Sequence, residues 1–288
     1  MTTTSHPRIP LPPALRLAWH LLQPQPPTAG DLLPDADLDL GTAAIARILS
    51  YVQPELRHAE RIPAGGALLT GNHGLMGIDS FALYPLLWQQ VSRFPRGLAD
   101  RALFWAPTAA RAFGRLGAVA GEPQTAVDLL QRGELCLVYP GGSAESFKRP
   151  DQRYQLFWHN RPGFARVAMR AQVPVVPVMA AGIDHAYRFL FHDRLLMRRL
   201  FGNGKARYDF AVSLGLGILP LPVKFTFEVG EPIYPPVGAQ LAEDPNAVAE
   251  FHGHIWQTCQ AQLDRLVAEW RATNSGVLDQ WARRVARP

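Results

Sequence analysis

Residues 68–80 read LLTGNHGLMGIDS. An apolar run ends at Gly71, and the chain turns polar at Asn72-His73-Gly74. A core strand needs no imidazole at its exit, and a plain turn needs no aspartate six residues after the histidine. The following segment, DSFALYPLLWQQV (79–91), has the composition of a helix, with Asp79 or Ser80 as the expected N-cap and Pro85 as an expected distortion. The stretch therefore reads as strand, polar turn and helix, with His73 just past the carboxyl end of the strand.

Strands and helices alternate along the rest of the chain, with no internal repeat. GALLTGN (66–72), ELCLVYPGG (134–142), VPVVPVMAAG (173–182) and VKFTFEVGEPI (223–233) read as strands, and LRHAERIP as a short strand and turn. Prolines in 173–182 predict a sheet edge or an irregular strand. QTAVDLLQRG (124–133) and GFARVAMRAQ (163–172) read as helices, and 101–117 as helical after Pro107. A long C-terminal helix is expected over 245–272, capped near Asp244 or Asn246. Strands alternating with helices predict an α/β fold, a mainly parallel central sheet flanked by helices.

Three regions are expected. Residues 1–54 form an N-terminal helical arm, a candidate for lipid contact; 55–240 form the main domain; 241–288 form a helical segment packed on it. In the arm, ALRLAWHLL (14–22) reads as a short amphipathic helix and TAAIARILSYV (42–52) as a second helix. Between them, PQPPTAGDLLPDADLDL carries Asp31, Asp35, Asp37 and Asp39 and reads as linker or irregular surface.

Composition narrows the partners. Of 288 residues, 48% are hydrophobic and 18% charged, enough for a sizeable core. The net charge of +5 favours an anionic partner. No nucleic-acid-binding motif is present, so an anionic membrane is the favoured partner. Cys136 and Cys259 lie far apart and form neither a disulfide framework nor a metal-ligand spacing. Cys136, within LCLVY, is expected to be a buried core thiol, and a reducing, cytoplasmic setting is the default. The opening MTTTSHPRIPLPP has no signal-peptide pattern, and no stretch reaches the ~18–20 apolar residues that span a bilayer. Any membrane contact is expected to be peripheral. RLLMRRLFGNGKAR (194–207), basic and apolar with no acid, is the main candidate surface, and the 14–22 helix a weaker one.

Three stretches can carry chemistry. In the first, His73 at a strand end has the titration range of a base, and a carboxylate on one ring nitrogen would fix its tautomer. Asp79 could fold back across Gly74–Ile78 to do so. In the second, YPGGSAESF (139–147), Gly141 and Gly142 let the backbone approach a ligand, with Ser143 and Glu145 following. This is neither a serine-hydrolase elbow, since Glu145 stands where the last glycine is required, nor a P-loop. In the third, WHNRPGFARVAMRAQVPVVPV (158–178), Arg161 and Arg166 flank a helix start and could hold a phosphate. Each stretch also has a bland reading: a satisfied turn histidine with a capping aspartate, a tight glycine turn, a solvated helix end.

Taken together and in order, the three stretches resemble the phospholipid/glycerol acyltransferase superfamily. The nearer likeness is to its branch of diacylglycerol acyltransferase 2-like and plant phytyl ester synthase-like proteins. Asn72-His73 with Asp79 resembles the His–Asp acyltransferase motif, YPGGSAESF the Pro-Gly-Gly-x-x-Glu block, and WHNRPGFARVAMRAQVPVVPV the block that follows it. The likeness covers roughly residues 55–235. The His–Asp gap is one residue longer than is usual in the superfamily, and Ala144 stands where phosphate-acceptor enzymes carry an arginine. That departure argues against a lysophosphatidic acid or glycerol 3-phosphate acceptor, unless Lys148, Arg149 or Arg153 substitutes.

The resemblance implies an O-acyltransferase. A fatty acyl group would pass from acyl-CoA or acyl carrier protein to a hydroxyl of a lipid-like alcohol. His73 would be the general base and Asp79 its orienting partner; Asn72, Gly141, Gly142, Ser143 and Arg161 would contact substrate, with amides near Gly141 and Gly142 stabilising the oxyanion or the donor, and Glu145 would order its loop or hydrogen-bond the acceptor. No metal and no bound cofactor is implied. Phe81, Leu83, Leu86, Leu87 and Trp88 are candidates to line an acyl groove, with ordinary helix-to-sheet packing the competing reading. The rival readings are an acyl thioesterase or lipid hydrolase on the same His, a lysophospholipid acyltransferase, and a non-catalytic lipid-binding module.

Overall fold

The computed structural model describes residues 12–22, 32–100, 104, 110, 113–158, 161–193, 210–215 and 219–285. Its centre is a seven-stranded sheet in the order β1-β9-β6-β2-β5-β3-β4. The strands are β1 (Glu55–Arg57), β2 (Ala67–Thr70), β3 (Arg96–Ala99), β4 (Ala118–Ala120), β5 (Leu135–Val138), β6 (Val175–Ala181) and β9 (Thr226–Val229). A separate antiparallel pair joins β7 (Arg188–Asp193) to β8 (Phe210–Leu214). All pairings in the large sheet are parallel except β6 with β9, so the expected mainly parallel α/β sheet is found.

The continuous apolar runs in the central strands follow from cover on both faces. Leu68, Cys136, Val175 and Met179 share one core with helices α4 (Pro123–Gln131), α6 (Gly163–Ala171) and α7 (Pro245–Val285). Ala67, Leu69, Leu135, Leu137, Val176 and Val178 face the other core, with Ala82, Leu83 and Leu87 of α3 (Ile78–Val91). Neighbouring residues of a strand thus enter different cores, as period-two side-chain alternation requires. Cys136 is fully buried, as expected. Leu83 and Leu87 are core residues at 1% and 0% exposure, which removes them from any acyl groove, whereas Phe81 is 42% exposed.

Several expectations are corrected. β6 lies inside the sheet, between β2 and β9, so the edge placement is corrected while the irregular-strand alternative is met. Its register to the antiparallel partner slips by one residue between Val175↔Ile233 and Val178↔Val229. Pro177 sits in that slip, where only its carbonyl is used, accepting from Gly230 N at 2.8 Å. A missing N–H is tolerated where the ladder is already interrupted. The acidic segment is not all linker, because helix α2 (Asp35–Ile48) begins inside it. Asp35 and Asp37 occupy the first turn of α2, where the helix dipole favours negative charge. Asp37 is fully buried and accepts from Arg16 Nε of α1 (Pro13–Leu22) at 2.7 Å.

Helix α3 begins at Ile78, one residue earlier than expected, with Gly77 as its N-cap at φ 69°. The chain continues helically through Pro85, which is buried. The C-terminal helix runs to Val285, well past 272, and Asp244 Oδ1 accepts from Asn246 N at its start (2.9 Å). Most of 101–117 and all of the basic 194–207 stretch lie outside the described residues.

Candidate active site

β2 and β5 are parallel neighbours, so their carboxyl ends deliver two turns to the same edge of the sheet. In open α/β sheets that edge is where ligands bind. One turn carries Asn72-His73-Gly74 and the other Pro140-Gly141-Gly142. Gly71 is obligatory between them, because a Cβ there would lie 2.7 Å from Val178 O and 3.3 Å from the Tyr139 ring.

The first turn is organised by Asp79. Its Oδ2 accepts from His73 Nδ1 at 2.7 Å and from Gly74 N at 3.0 Å, and its Oδ1 accepts from Ser80 N at 2.9 Å. A carboxylate only accepts, so Nδ1 is the protonated ring nitrogen and Nε2 holds the lone pair of the neutral ring. The Asp79 side chain is 1% exposed and that of His73 20% exposed. Burial alone pulls the His73 pKa down, but the Asp79 charge and hydrogen bond outweigh it, and the net shift is upward. Tyr139 lies flat against the imidazole, with ring centroids 4.3 Å apart and planes 10° from parallel.

Asn72 is buried and both ends of its amide are engaged. Nδ2 donates to Ala180 O at 2.9 Å, and Oδ1 accepts from Ala180 N at 2.8 Å. The side chain imitates one more rung of the β2–β6 ladder and anchors the turn, so the expected substrate contact gives way to an internal one.

The second turn is held by Glu145, on the short helix α5 (Gly142–Ser146). Its Oε1 accepts from His73 N at 2.8 Å; its Oε2 accepts from Phe157 N at 3.0 Å and Trp158 Nε1 at 2.9 Å. Glu145 is wholly buried, so it clamps the two turns together rather than presenting oxygen to a ligand. Burial raises its pKa, against the opposing pull of Lys148 and the donated N–H groups. Gly141 has no room for a Cβ, which would land on that carboxylate. Gly142 adopts φ 53°, and a Cβ there would meet Arg161 Nη1 at 2.7 Å. Its N–H donates to Tyr139 O at 2.9 Å, so this amide closes the turn and is not free for a developing oxyanion. Arg161 is exposed and rests on the same turn through Nη1 to Pro140 O at 3.2 Å. Ser143 is half-buried, its carbonyl accepting from Phe147 N at 3.1 Å.

Lys148 does not stand ready for a phosphate. Its Nζ is 2.9 Å from Asp184 Oδ2, and both side chains are buried. The charge is already matched inside the fold. Arg149 is paired with Asp151 at 2.8 Å.

Sequence reasoning missed Tyr139 and Trp158 as parts of the site. Tyr139 had a legible signal, since it stands at the end of β5 immediately before the Pro-Gly-Gly turn. Trp158 had none, because only the fold brings its indole to Glu145.

The family model described as Acyltransferase matches residues 53–181, which contain every element just described up to the end of β6. A mouse protein called DGAT1/2-independent enzyme synthesizing storage lipids is 34% identical over 226 residues, 76% of this chain and 66% of its own length. Its human counterpart is 33% identical over 66% of this chain and 57% of its own length. An uncharacterized protein of Mycobacterium leprae is 31% identical over 76% of this chain and 61% of its own. The chain thus spans a little under two thirds of the length of these relatives. The fold also matches the crystal structure of the 1-acyl-sn-glycerophosphate (LPA) acyltransferase PlsC from Thermotoga maritima. The TM-score is 0.51 over 81% of this chain and 80% of that one, at 16% identity, a likeness of fold.

Proposed function

Because the chain belongs to the phospholipid/glycerol acyltransferase superfamily, we propose that it moves a fatty acyl group from an acyl thioester to the hydroxyl of a neutral, lipid-like alcohol. The observation that carries this reading is the His73 Nδ1–Asp79 Oδ2 bond of 2.7 Å at the strand-end edge, which leaves Nε2 as the proton acceptor.

In this reading the acceptor hydroxyl gives its proton to His73 Nε2 as its oxygen attacks the thioester carbonyl. Asp79 holds the ring and stabilises the imidazolium while the tetrahedral intermediate exists. The carbon–sulfur bond then breaks, His73 returns the proton to the departing thiolate, and ester and thiol leave. No covalent acyl-enzyme is needed. In this reading Gly141, Ser143 and Arg161, on or against the neighbouring turn, contact the donor, with acyl-CoA as the proposed donor.

Two features support a neutral acceptor: Ala144 offers no guanidinium, and Lys148 is neutralised by Asp184. The storage-lipid names of the mouse and human relatives point the same way. Among the described residues no helix is long and apolar enough to cross a membrane. Peripheral contact with the bilayer that holds the acceptor is therefore part of the proposal.

The test is thiol release from a long-chain acyl-CoA by the purified protein. It is run without acceptor and with monoacylglycerol, diacylglycerol, a long-chain alcohol or lysophosphatidic acid. Release that depends on a neutral alcohol, with matching ester formed, is expected. Equal release without any acceptor would make the protein a thioesterase, and preference for lysophosphatidic acid would overturn the neutral-acceptor reading.

A further inference from the structure

Tyr139 meets His73 face to face, with centroids 4.3 Å apart and planes 10° from parallel. The ring is pinned. Its hydroxyl is 3.2 Å from Ser80 Oγ, and Ser80 follows Asp79 in the first turn of α3. On its other side the ring edge approaches Gly71, where a Cβ would come within 3.3 Å of Tyr139 Cε1. The strand that delivers Tyr139 is hydrogen-bonded in parallel register to the strand that delivers His73, with Thr70 opposite Val138. Two fixed strand ends therefore set the stack.

We propose that Tyr139 is a positioning residue for His73: its ring fixes the plane of the imidazole and stabilises the imidazolium that forms during acyl transfer. This rests on the reading of His73 as general base. Asp79 constrains the ring in its own plane through Nδ1, yet a single hydrogen bond leaves the imidazole free to rock about that axis. A flat aromatic surface removes the rocking and keeps Nε2 aimed at one place. The π-face of a phenol also attracts a cation above it, which favours the protonated ring over the neutral one. Lewis-basic and aromatic partners thus act from perpendicular directions on the same side chain.

The test uses the full-length protein with ¹⁵N-labelled histidine, followed by NMR across pH, beside kinetics with acyl-CoA and the best acceptor. In the wild type, ring-current shielding from Tyr139 should move the His73 ring protons upfield of those of exposed histidines; their absence from that region overturns the stack whatever the variants do. Tyr139→Phe retains the ring and loses the hydroxyl's contacts with Ser80 and Asp79, while the stack and the His73–Asp79 bond remain, so its His73 pKa should stay nearer the wild type than that of Tyr139→Leu and its kcat should stay within about 3-fold. Tyr139→Leu keeps an apolar contact without a π-face. Its His73 pKa should fall by roughly half to one unit and its kcat by about 10-fold, with KM within about 2-fold. A Tyr139→Leu protein with unchanged His73 pKa and kcat rejects the proposal. Failure of the general-base reading itself looks different: His73→Ala would keep turnover, while the NMR of the wild type would still report the stack.

Discussion

The two turns at the active edge each depend on one carboxylate, and the carboxylates differ in what they hold. Asp79 binds a ring that titrates, together with two main-chain amides of its own loop. Glu145 binds no titrating group; it takes an amide from each of two other segments and an indole N–H, and is wholly buried. The first sets a protonation state, and the second sets a distance between turns. Each lies in the turn-to-helix segment that follows a strand of the sheet, and they are distinguished by what the fold brings to them.

That difference gives an order of effects. Replacing His73 with Ala should lower acceptor-dependent turnover by about 10³-fold or more, with little change in the unfolding transition, since the group lost is the proposed base. Chemical denaturation alongside steady-state assay checks both halves. Glu145→Ala should behave oppositely in kind. It strands one buried and two part-buried donors and should lower stability by about 3 kcal/mol, with activity falling because His73 loses its backbone tether. A smaller effect is expected from Asn72→Ala, which leaves the Ala180 amide and carbonyl unpaired. A loss of about 1–3 kcal/mol in denaturation, with modest change in kcat at temperatures where the protein is folded, would match its anchoring role. A Glu145→Ala protein of normal stability would erase the contrast between the two turns.

Much of this was legible in residue order. The runs ALLT, LCLV and VVPVMAA announced buried strands, and their exits located the polar turns. The His73–Asp79 contact was one of two readings that the spacing allowed, and the resemblance of the three stretches to the acyltransferase superfamily selected it. The interior placement of β6 was not legible, because Pro177 is tolerated only through a register slip set by a segment some fifty residues later. Nor was the burial of Asn72 and Glu145. Asn72 read as a ligand contact and Glu145 as either a loop-ordering group or an acceptor contact; the groups that satisfy them come from β6, from His73 N and from the 157–158 segment. The acidic stretch read as linker because of its density of Pro and Asp, whereas Arg16 pairs with Asp37 at 2.7 Å inside the fold.

The central claim, that Asp79 tunes His73 as a general base, is tested most directly by the pH dependence of kcat/KM in the wild type and in Asp79→Asn. A base works only when neutral, so activity should fall as pH drops through the His73 pKa, which lies above the ordinary 6.5 because of Asp79. Removing the carboxylate charge leaves burial, which acts in the other direction. The acid limb of Asp79→Asn should therefore move to lower pH, with the plateau reduced by about 10²-fold or more. An acid limb that stays where it is, or a plateau that is unchanged, would contradict the account.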